Sequence, residues 1–273
     1  MDTKLTGKTR IESDLIGARE IPAEALYGVQ TLRGIENFSI SKFRLSEYPL
    51  FIKGLAITKM AAAMANFELG LLTVEQKDAI IAACGEILDG KHHDQFPGDM
   101  IQGGAGTTTN MNANEVIANR ALELMGHERG EYQYCSPNDH VNCSQSTNDA
   151  YPTAIHIGMY FKHLQLLPHL EELIASFRKK GEEFSQIIKM GRTQLEDAVP
   201  MTLGQTFNGF ASILQDEIAH LNEAAADFLV VNMGATAIGT GICAEPGYAE
   251  KCIAALREIT GWDIRLSSDL VGA

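Results

Sequence analysis

The strongest constraint on the fold of this chain is a helical periodicity that covers most of the sequence beyond Leu50. Two capping boxes, Thr73 with Gln76 and Thr202 with Gln205, each open a stripe of apolar residues at helical spacing. Long helices that carry one apolar face predict a helical bundle. The clearest stripe consists of Phe210, Ile213, Leu214, Ile218, Leu221, Ala225 and Phe228.

Other segments extend this pattern. A long helix is expected from residue 149 towards residue 188, with a kink or break at Pro168, and another helix is expected to open at Asn112. Strand signals are weak, and only residues 35–43 alternate enough to indicate a short extended piece. The predicted fold class is therefore mainly α.

The helical pattern is interrupted at residues 134–142, where Pro137 and its polar neighbours break it. We therefore predict an N-terminal mixed, mostly helical domain over residues 1–142. Part of a long-helix bundle is expected over residues 143–273.

Composition excludes several classes of partner. The chain of 273 residues has a formal net charge of -13, which argues against nucleic acid because phosphate backbones require a basic face. Its 5 cysteines are odd in number, widely spaced and without a Cys-x-x-Cys pair, as is typical of free thiols in a reducing compartment. Neither a signal peptide nor an apolar run of membrane-spanning length is visible. These features predict a cytoplasmic protein with no membrane partner.

The histidines do not predict a metal site. His156, His163 and His169 share the expected long helix, but their spacing differs from the i, i+4 pair of a helical zinc site. No Gly-x-Ser-x-Gly elbow occurs, so an acyl-transfer hydrolase has no support either.

Three polar loops carry the candidate chemistry: residues 103–110, residues 136–149 and residues 191–202. Each places small hydroxyl or amide groups where a helix is expected to begin. A helix start exposes unpaired N–H groups and the positive end of the dipole, so it favours anions. If the loops converge, they form a site for a small, doubly charged carboxylate.

Each loop also has a structural interpretation. Residues 103–110 read equally well as a glycine turn with N-capping threonines, and Ser146 with Asp149 fits a capping box. Thr193 and Gln194 fit a turn before a capped helix. By contrast, no cap or turn accounts for the polar side chains of residues 147 and 148.

The chain resembles the aspartase/fumarase superfamily over essentially its whole length. The resemblance is carried by residues 103–115, 136–152 and 191–205, and also by residues 11–17, 27–33 and 232–241. Within the superfamily, the Gly-Arg-Thr-Gln that ends at Gln194 is similar to the aspartases, because fumarases typically have histidine there. The sequence of residues 125–134 is also similar to that of the aspartases.

The resemblance implies a lyase that eliminates ammonia reversibly from L-aspartate to give fumarate, through an enediolate, without a metal or organic cofactor. It implies that Thr107, Ser146 and Thr147 hold the β-carboxylate of the substrate. It further implies that Thr193 holds the α-carboxylate.

The remaining implied roles concern the amino group and a second site. Asn148 is expected to contact the amino group, with Gln194 nearby. Asn138 and Asp139 correspond to a loop that forms a secondary anion site in fumarases.

The family's catalytic base is a serine in a Gly-Ser-Ser loop, which is followed by a lysine and an asparagine that bind substrate. This segment is missing from the 273 residues, so no catalytic residue is assigned. We therefore expect the N-terminal part of a longer lyase, without the C-terminal domain, and expect a polypeptide ending at Ala273 to be inactive. In the intact family the site gathers loops from three subunits of a homotetramer.

Two alternatives remain open. One is a class II fumarase, which interconverts malate and fumarate. The other is a non-catalytic homologue that acts as a structural or interaction protein.

Overall fold

The structure is a computed structural model that describes residues 7–102 and 104–273. Gly103, the first residue of the expected glycine turn, lies outside the described residues. The described chain forms two compact units: the first comprises the residues up to Met159 together with Leu229–Ala273, and the second comprises Tyr160–Phe228. The domain boundary that the sequence predicts after residue 142 stays a prediction.

The fold is mainly α, which confirms the predicted fold class. In chain order, the helices and strands are β1 (Thr9–Asp14), β2 (Gly17–Pro22), α1 (Val29–Asn37), α2 (Pro49–Glu68), α3 (Val74–Leu88), α4 (Thr107–Leu124), α5 (Thr147–Glu183), β3 (Ile188–Thr193), β4 (Glu196–Thr202), α6 (Leu203–Ala226), β5 (Val230–Val231), α7 (Tyr248–Thr260) and β6 (Arg265–Leu266).

Single turns join several of these elements. Short 3₁₀ turns occupy Leu45–Glu47, His93–Gln95, Gly104–Gly106 and Asp227–Leu229. A π-helical turn spans Pro137–Val141.

The strands form three two-stranded sheets. β1 pairs with β2 and β3 pairs with β4, both antiparallel, whereas β5 and β6 pair in parallel. The expected extended piece at residues 35–43 is wrong, because α1 continues to Asn37 and no strand follows it among the residues described there. The sequence missed the β3–β4 hairpin because most of its residues are exposed, so no buried face marks it by alternation.

α2 is the central helix of the first unit. It packs against α3, and α4 completes the core through Val116 and Ile117. Of the described helices, α2 alone has the length and apolar composition of a membrane span. Because 72% of its apolar window is buried inside the protein, α2 has the character of a core helix.

Helix starts show which local signals are reliable. The capping boxes of Thr73 with Gln76 and of Thr202 with Gln205 are both confirmed, each with its two reciprocal hydrogen bonds. The helix expected to open at Asn112 is wrong, because α4 already begins at Thr107. Asn112 instead lies buried inside α4, where its Nδ2 donates to the carbonyl of Gln95.

Glu115, three residues after Asn112, stabilises the beginning of a different helix. Its buried carboxylate accepts the backbone N–H groups of Gly28, Gln30 and Thr31 and the hydroxyl of Thr31, at distances of 2.6 to 3.0 Å. Burial raises the pKa of Glu115 to about 7. The free N–H groups at the start of α1 are thus satisfied from α4, through a contact that sequence spacing does not reveal.

α5 is a continuous helix of 37 residues, so no break occurs at Pro168, and the kink given as the alternative stays a prediction. In the second unit, the aromatic rings of Phe177, Phe184, Phe207 and Phe210 pack between α5 and α6, with centroids 5.4 to 6.1 Å apart. These contacts pack α5 against α6, the two helices that flank the β3–β4 hairpin in sequence.

α2 and the start of α5 cross at glycine. A Cβ on Gly54 would overlap the carbonyl oxygen of Ala154, and a Cβ on Gly158 would lie 3.1 Å from the Cα of Phe51. The two backbones approach this closely because neither glycine has a side chain.

The first prediction tests this crossing. Gly54→Ala should lower the free energy of unfolding by about 1–3 kcal/mol, because the new methyl group has no room. Gly85→Ala is the matched control: Gly85 lies inside α3 with open space around it, so this change should raise stability by about 0.5–1 kcal/mol. Urea unfolding of both variants measures the difference, and equal effects would contradict the close crossing.

A second feature of the fold depends on pH. Glu86 on α3 accepts two hydrogen bonds from Arg120 on α4, at 2.7 and 2.8 Å, and one from His92 at 2.7 Å. The Arg120 guanidinium, with His92, lowers the pKa of Glu86 to about 2.

The second prediction follows from that lowered pKa. A carboxyl group with a lowered pKa in the folded state stabilises the fold above its ordinary pKa, and this contribution is lost as the pH falls towards 2. Glu86→Gln should therefore cost about 1–2 kcal/mol at neutral pH, after allowance for solvent screening, and almost nothing near pH 2. Denaturant unfolding as a function of pH measures this, and a pH-independent difference would contradict the assignment.

Candidate functional site

The glycine turn before α4 has the backbone conformation that the sequence suggested. Gly104 and Gly106 have φ values of 72° and 94°, which favour glycine, and Ala105 between them also has a positive φ of 49°. A Cβ on Gly106 would lie 2.6 Å from the ring of Tyr151, so a side chain has no space there. Thr107 begins α4, and its hydroxyl donates to the carbonyl of Gly104 at 2.6 Å.

The start of α5 forms the second polar loop. The hydroxyl of Ser146 accepts the N–H of Asn148 at 3.3 Å, and the N–H of Ser146 donates to Asp149 Oδ1 at 2.9 Å. Ser146 and Asp149 therefore cap the helix. The hydroxyl of the half-buried Thr147 makes no hydrogen bond within the described chain, which leaves it available to a ligand.

These two loops meet in a cleft of 460 Å³. Ala105 and Gly106 line one side of it, and Thr147, Asn148 and Tyr151 line the other. Thr107 and Ser146 flank the cleft in sequence but do not line it. No charged side chain of the described residues lines the cleft, so its polar character comes from hydroxyl and amide groups at two helix starts.

A buried lysine joins both loops to the core. The ammonium group of Lys59, on α2, donates to Asn110 Oδ1 at 2.7 Å and to Asn142 Oδ1 and Gln145 Oε1 at 2.9 Å. Lys59 is 0% exposed, and burial lowers its pKa to about 7. Asn110 lies in the first turn of α4, and Asn142 and Gln145 lie within four residues before Ser146, so one cation fixes the backbone before Thr147.

A buried carboxylate holds the start of α5 from the other side. Asp149 is 0% exposed, and its Oδ2 accepts the N–H groups of Gly234 at 3.1 Å and Thr236 at 2.9 Å. Together with the bond from Ser146, this carboxylate accepts three backbone N–H groups. Burial raises its pKa despite these bonds.

Sequence reasoning missed both buried charges. Asp149 was recognised only as a capping residue, and Lys59 was not considered. The signal for Lys59 was available: of the two lysines in α2, Lys53 and Lys59, it directly precedes the alanine-rich stretch 60–66, which has no charged residue. A lysine in such a position needs buried acceptors.

Thr193 and Gln194 lie in the second unit, on the β3–β4 hairpin. Thr193 ends β3 opposite Glu196, and the connecting residues Gln194 and Leu195 have φ values of 48° and 68°. Two successive positive φ values are typical of a type I′ hairpin turn. The predicted turn is confirmed, but β4 separates it from the capped helix α6.

Both hairpin residues are exposed. Their approach to Thr147 and Asn148 in one substrate site stays a prediction.

Asn138 and Asp139 lie exposed in the π-helical turn, which Ser136 caps by accepting the N–H of Asp139 at 3.1 Å. Asn138 also lines a cavity of 560 Å³ together with Asp14 and Glu115. The secondary anion role stays a prediction. Over the described part of the chain, no group of three or more His, Cys, Asp or Glu side chains is arranged to hold a metal ion.

Comparison with known proteins gives a consistent result. A family model described as "Lyase" matches residues 17–271. The aspartate ammonia-lyase of Pseudomonas canavaninivorans is 55% identical over 265 residues, which is 97% of this chain and 56% of that protein. The aspartate ammonia-lyase of Escherichia coli K12 is 52% identical over 270 residues, which is 98% of this chain and 56% of that protein.

Solved structures agree. A fumarate lyase (delta crystallin) of Brucella melitensis bound to cobalt has a TM-score of 0.95 at 52% identity, over 97% of this chain and 57% of that one. A class II fumarase of Schistosoma mansoni has a TM-score of 0.90 at 34% identity, over 96% and 58%. The chain spans little more than half the length of these relatives.

The third prediction tests the contacts of Asp149. Asp149→Asn replaces one accepting oxygen by an N–H₂ group that faces N–H donors, so the free energy of unfolding should fall by about 1–3 kcal/mol. Amide hydrogen exchange at Gly234 and Thr236 should accelerate by about tenfold or more, because both amides lose their acceptor. Asp269→Asn is the control, since Asp269 is exposed and accepts only local N–H groups. Unchanged exchange rates at both amides would contradict their hydrogen bonds to Asp149.

Proposed function

This chain belongs to the lyase family that contains the aspartases and fumarases, and we propose that the whole protein is an aspartate ammonia-lyase. It would catalyse the reversible elimination of ammonia from L-aspartate to give fumarate. The relatives named aspartate ammonia-lyase, at 52–55% identity over nearly the whole chain, support this substrate.

The observation that carries the proposal is the cleft between the glycine turn and the start of α5. The chain as a whole has a formal net charge of -13, yet no carboxylate of the residues that the structure describes lines this cleft. Two helices, α4 and α5, begin beside it, and helix starts favour anions. Lys59 donates to Asn110 and Gln145, which lie within a few residues of the two helix starts in sequence, and so fixes both segments. These features fit a dicarboxylate.

The reaction requires such a site. Removal of the weakly acidic C3 proton places a second negative charge on the neighbouring carboxylate, which becomes an enediolate. Donors that are already oriented stabilise this charge in the transition state. We assign the hydroxyls of Thr107, Ser146 and Thr147 to the β-carboxylate. Of these, Thr147 lines the cleft and has no other hydrogen bond in the described chain.

The remaining contacts follow from the family resemblance. Thr193 holds the α-carboxylate, and Asn148 contacts the amino group with Gln194 nearby. Proton removal belongs to a serine loop of the family that this sequence does not contain, so no residue of this chain is assigned as the base.

We propose a cytoplasmic homotetramer in which loops of three subunits complete each site. Support comes from the second unit, where Thr193 and Gln194 lie exposed on the hairpin. Large apolar side chains are also exposed on its helices: Leu164, Leu166 and Leu173 on α5 and Phe210 and Ile213 on α6. Apolar surface of this extent is typical of a helix pair that packs against other helices. In the same assembly we keep Asn138 and Asp139 as a secondary anion site.

A class II fumarase is the second candidate, and the likeness to the Schistosoma mansoni fumarase at a TM-score of 0.90 favours it. The two activities differ in the leaving group, which is ammonia in one and water in the other. Gln194 supports the first, because fumarases typically have histidine at that position.

The fourth prediction tests the function. The protein expressed from its intact gene should release fumarate from L-aspartate and not from L-malate, as measured by ultraviolet absorbance. Thr147→Val should lower kcat/KM by about a hundredfold, because it removes one donor to the developing charge and keeps the shape of the side chain. Thr240→Val, an exposed threonine outside the cleft, is the matched control.

Fumarate production from L-malate alone would establish the fumarase instead. Turnover of neither substrate by the folded protein would reject both enzymatic assignments. An unchanged kcat/KM in Thr147→Val, with aspartate turnover intact, would reject the role of the cleft and leave the reaction standing.

A further inference from the structure

One face of α5 forms a wall of the cleft. Three of its residues, Thr147, Tyr151 and Ile155, line the cleft and follow one another at intervals of four residues. Side chains at this spacing lie one above the other on the same face of a helix. Because helical side chains lean towards the start of their helix, the Tyr151 side chain extends towards Thr147. Tyr151 was not part of the site expected from sequence.

The ring of Tyr151 is held by two other parts of the fold. A Cβ on Gly106 would lie 2.6 Å from three of its ring carbons, so the glycine turn lies directly against the ring. Phe51 of α2 contacts the same ring edge-on, with centroids 5.5 Å apart and an interplanar angle of 77°. Since the hydroxyl oxygen of a tyrosine lies in the ring plane, these contacts also fix its position.

The hydroxyl at the end of this ring has no partner in the fold. It makes no hydrogen bond to the residues that the structure describes. The Thr153 hydroxyl is also unpaired but fully buried, whereas that of Tyr151 is within reach of a ligand. Burial of the side chain raises the pKa of Tyr151, so the hydroxyl keeps its proton at neutral pH and can donate. A fixed, unpaired donor in the wall of a cleft is suited to an anionic ligand.

We propose that Tyr151 is a further substrate-contacting residue, whose hydroxyl donates to the same carboxylate as the hydroxyl of Thr147. This inference rests on the proposed function and extends its site by one donor, one helical turn further along α5. During the elimination this carboxylate gains negative charge, and a donor that is fixed beforehand stabilises the charge in the transition state. The ring is already held by Gly106 and Phe51, so little side-chain freedom is lost when the substrate binds.

The experiment separates the hydroxyl from the ring. In the protein expressed from its intact gene, Tyr151→Phe removes the hydroxyl and keeps the ring contacts. The kcat/KM for L-aspartate should fall by about tenfold, and the inhibition constant of succinate, a dicarboxylate without an amine, should rise by about tenfold. The melting temperature should stay unchanged, because the hydroxyl has no partner in the fold.

A double variant tests whether the two hydroxyls share one carboxylate. Groups that act on the same charge have non-additive effects. Thr147→Val combined with Tyr151→Phe should therefore lose less kcat/KM than the product of the two single losses, by about threefold or more. Losses that simply multiply would overturn the shared contact.

The ring is tested by Tyr151→Leu, which also removes the contacts with Gly106 and Phe51. This variant should lose about another tenfold in kcat/KM relative to Tyr151→Phe, and its melting temperature should fall. Tyr134→Phe is the matched control, since Tyr134 is exposed and does not line the cleft. It should change none of these constants.

Unchanged kcat/KM and unchanged succinate inhibition in Tyr151→Phe, with aspartate turnover intact, would overturn the inference and leave the proposed function standing. A loss of activity that is accompanied by a lower melting temperature in Tyr151→Phe would also overturn it, because the hydroxyl would then have a structural role. Absence of aspartate turnover in the unsubstituted protein would reject the proposed function itself, and the role of Tyr151 with it.

Discussion

The buried ammonium group of Lys59 is the contact on which the candidate site depends. Removing a cation from water costs about 3 kcal/mol or more unless all of its N–H donors are paired. Here three amide oxygens within 2.9 Å take that place, and the charge of Asp149 also favours the ammonium form. Because Asn110, Asn142 and Gln145 belong to two different loops, satisfying one charge fixes both loops relative to α2. The residues that follow these three in sequence are held in place by the same contact.

The start of α5 shows how structural and functional roles are divided among adjacent residues. Ser146 caps the helix, and Asp149 binds the loop that contains Gly234 and Thr236. These two residues carry the hydrogen bonds that the fold requires. Thr147 lies between them and lines the cleft, and its hydroxyl has no hydrogen-bond partner in the described chain. A group held by rigid neighbours, yet free of structural bonds, is oriented for a ligand before the ligand arrives.

Local signals in the sequence predicted what local interactions decide. The capping boxes at Thr73 and Thr202 were right because their bonds close within one helical turn. Asn112 was misread as a helix start and Pro168 as a break, because packing overrides such preferences. Of the two residues predicted to have no structural role, Thr147 makes no side-chain hydrogen bond in the described chain, but Asn148 donates to the carbonyl of Ala237, so the prediction is wrong for Asn148.

The charges that position this site were beyond the reach of sequence periodicity. Lys59 meets Asn142 across 83 residues, and Asp149 meets Gly234 across 85. Nor does a sequence reveal the positive φ of Thr236. The cleft that these charges position has no charged side chain of its own among the described residues, and it gathers hydroxyl and amide groups at two helix starts. A substrate with two carboxylates matches this polarity, because helix starts favour anions.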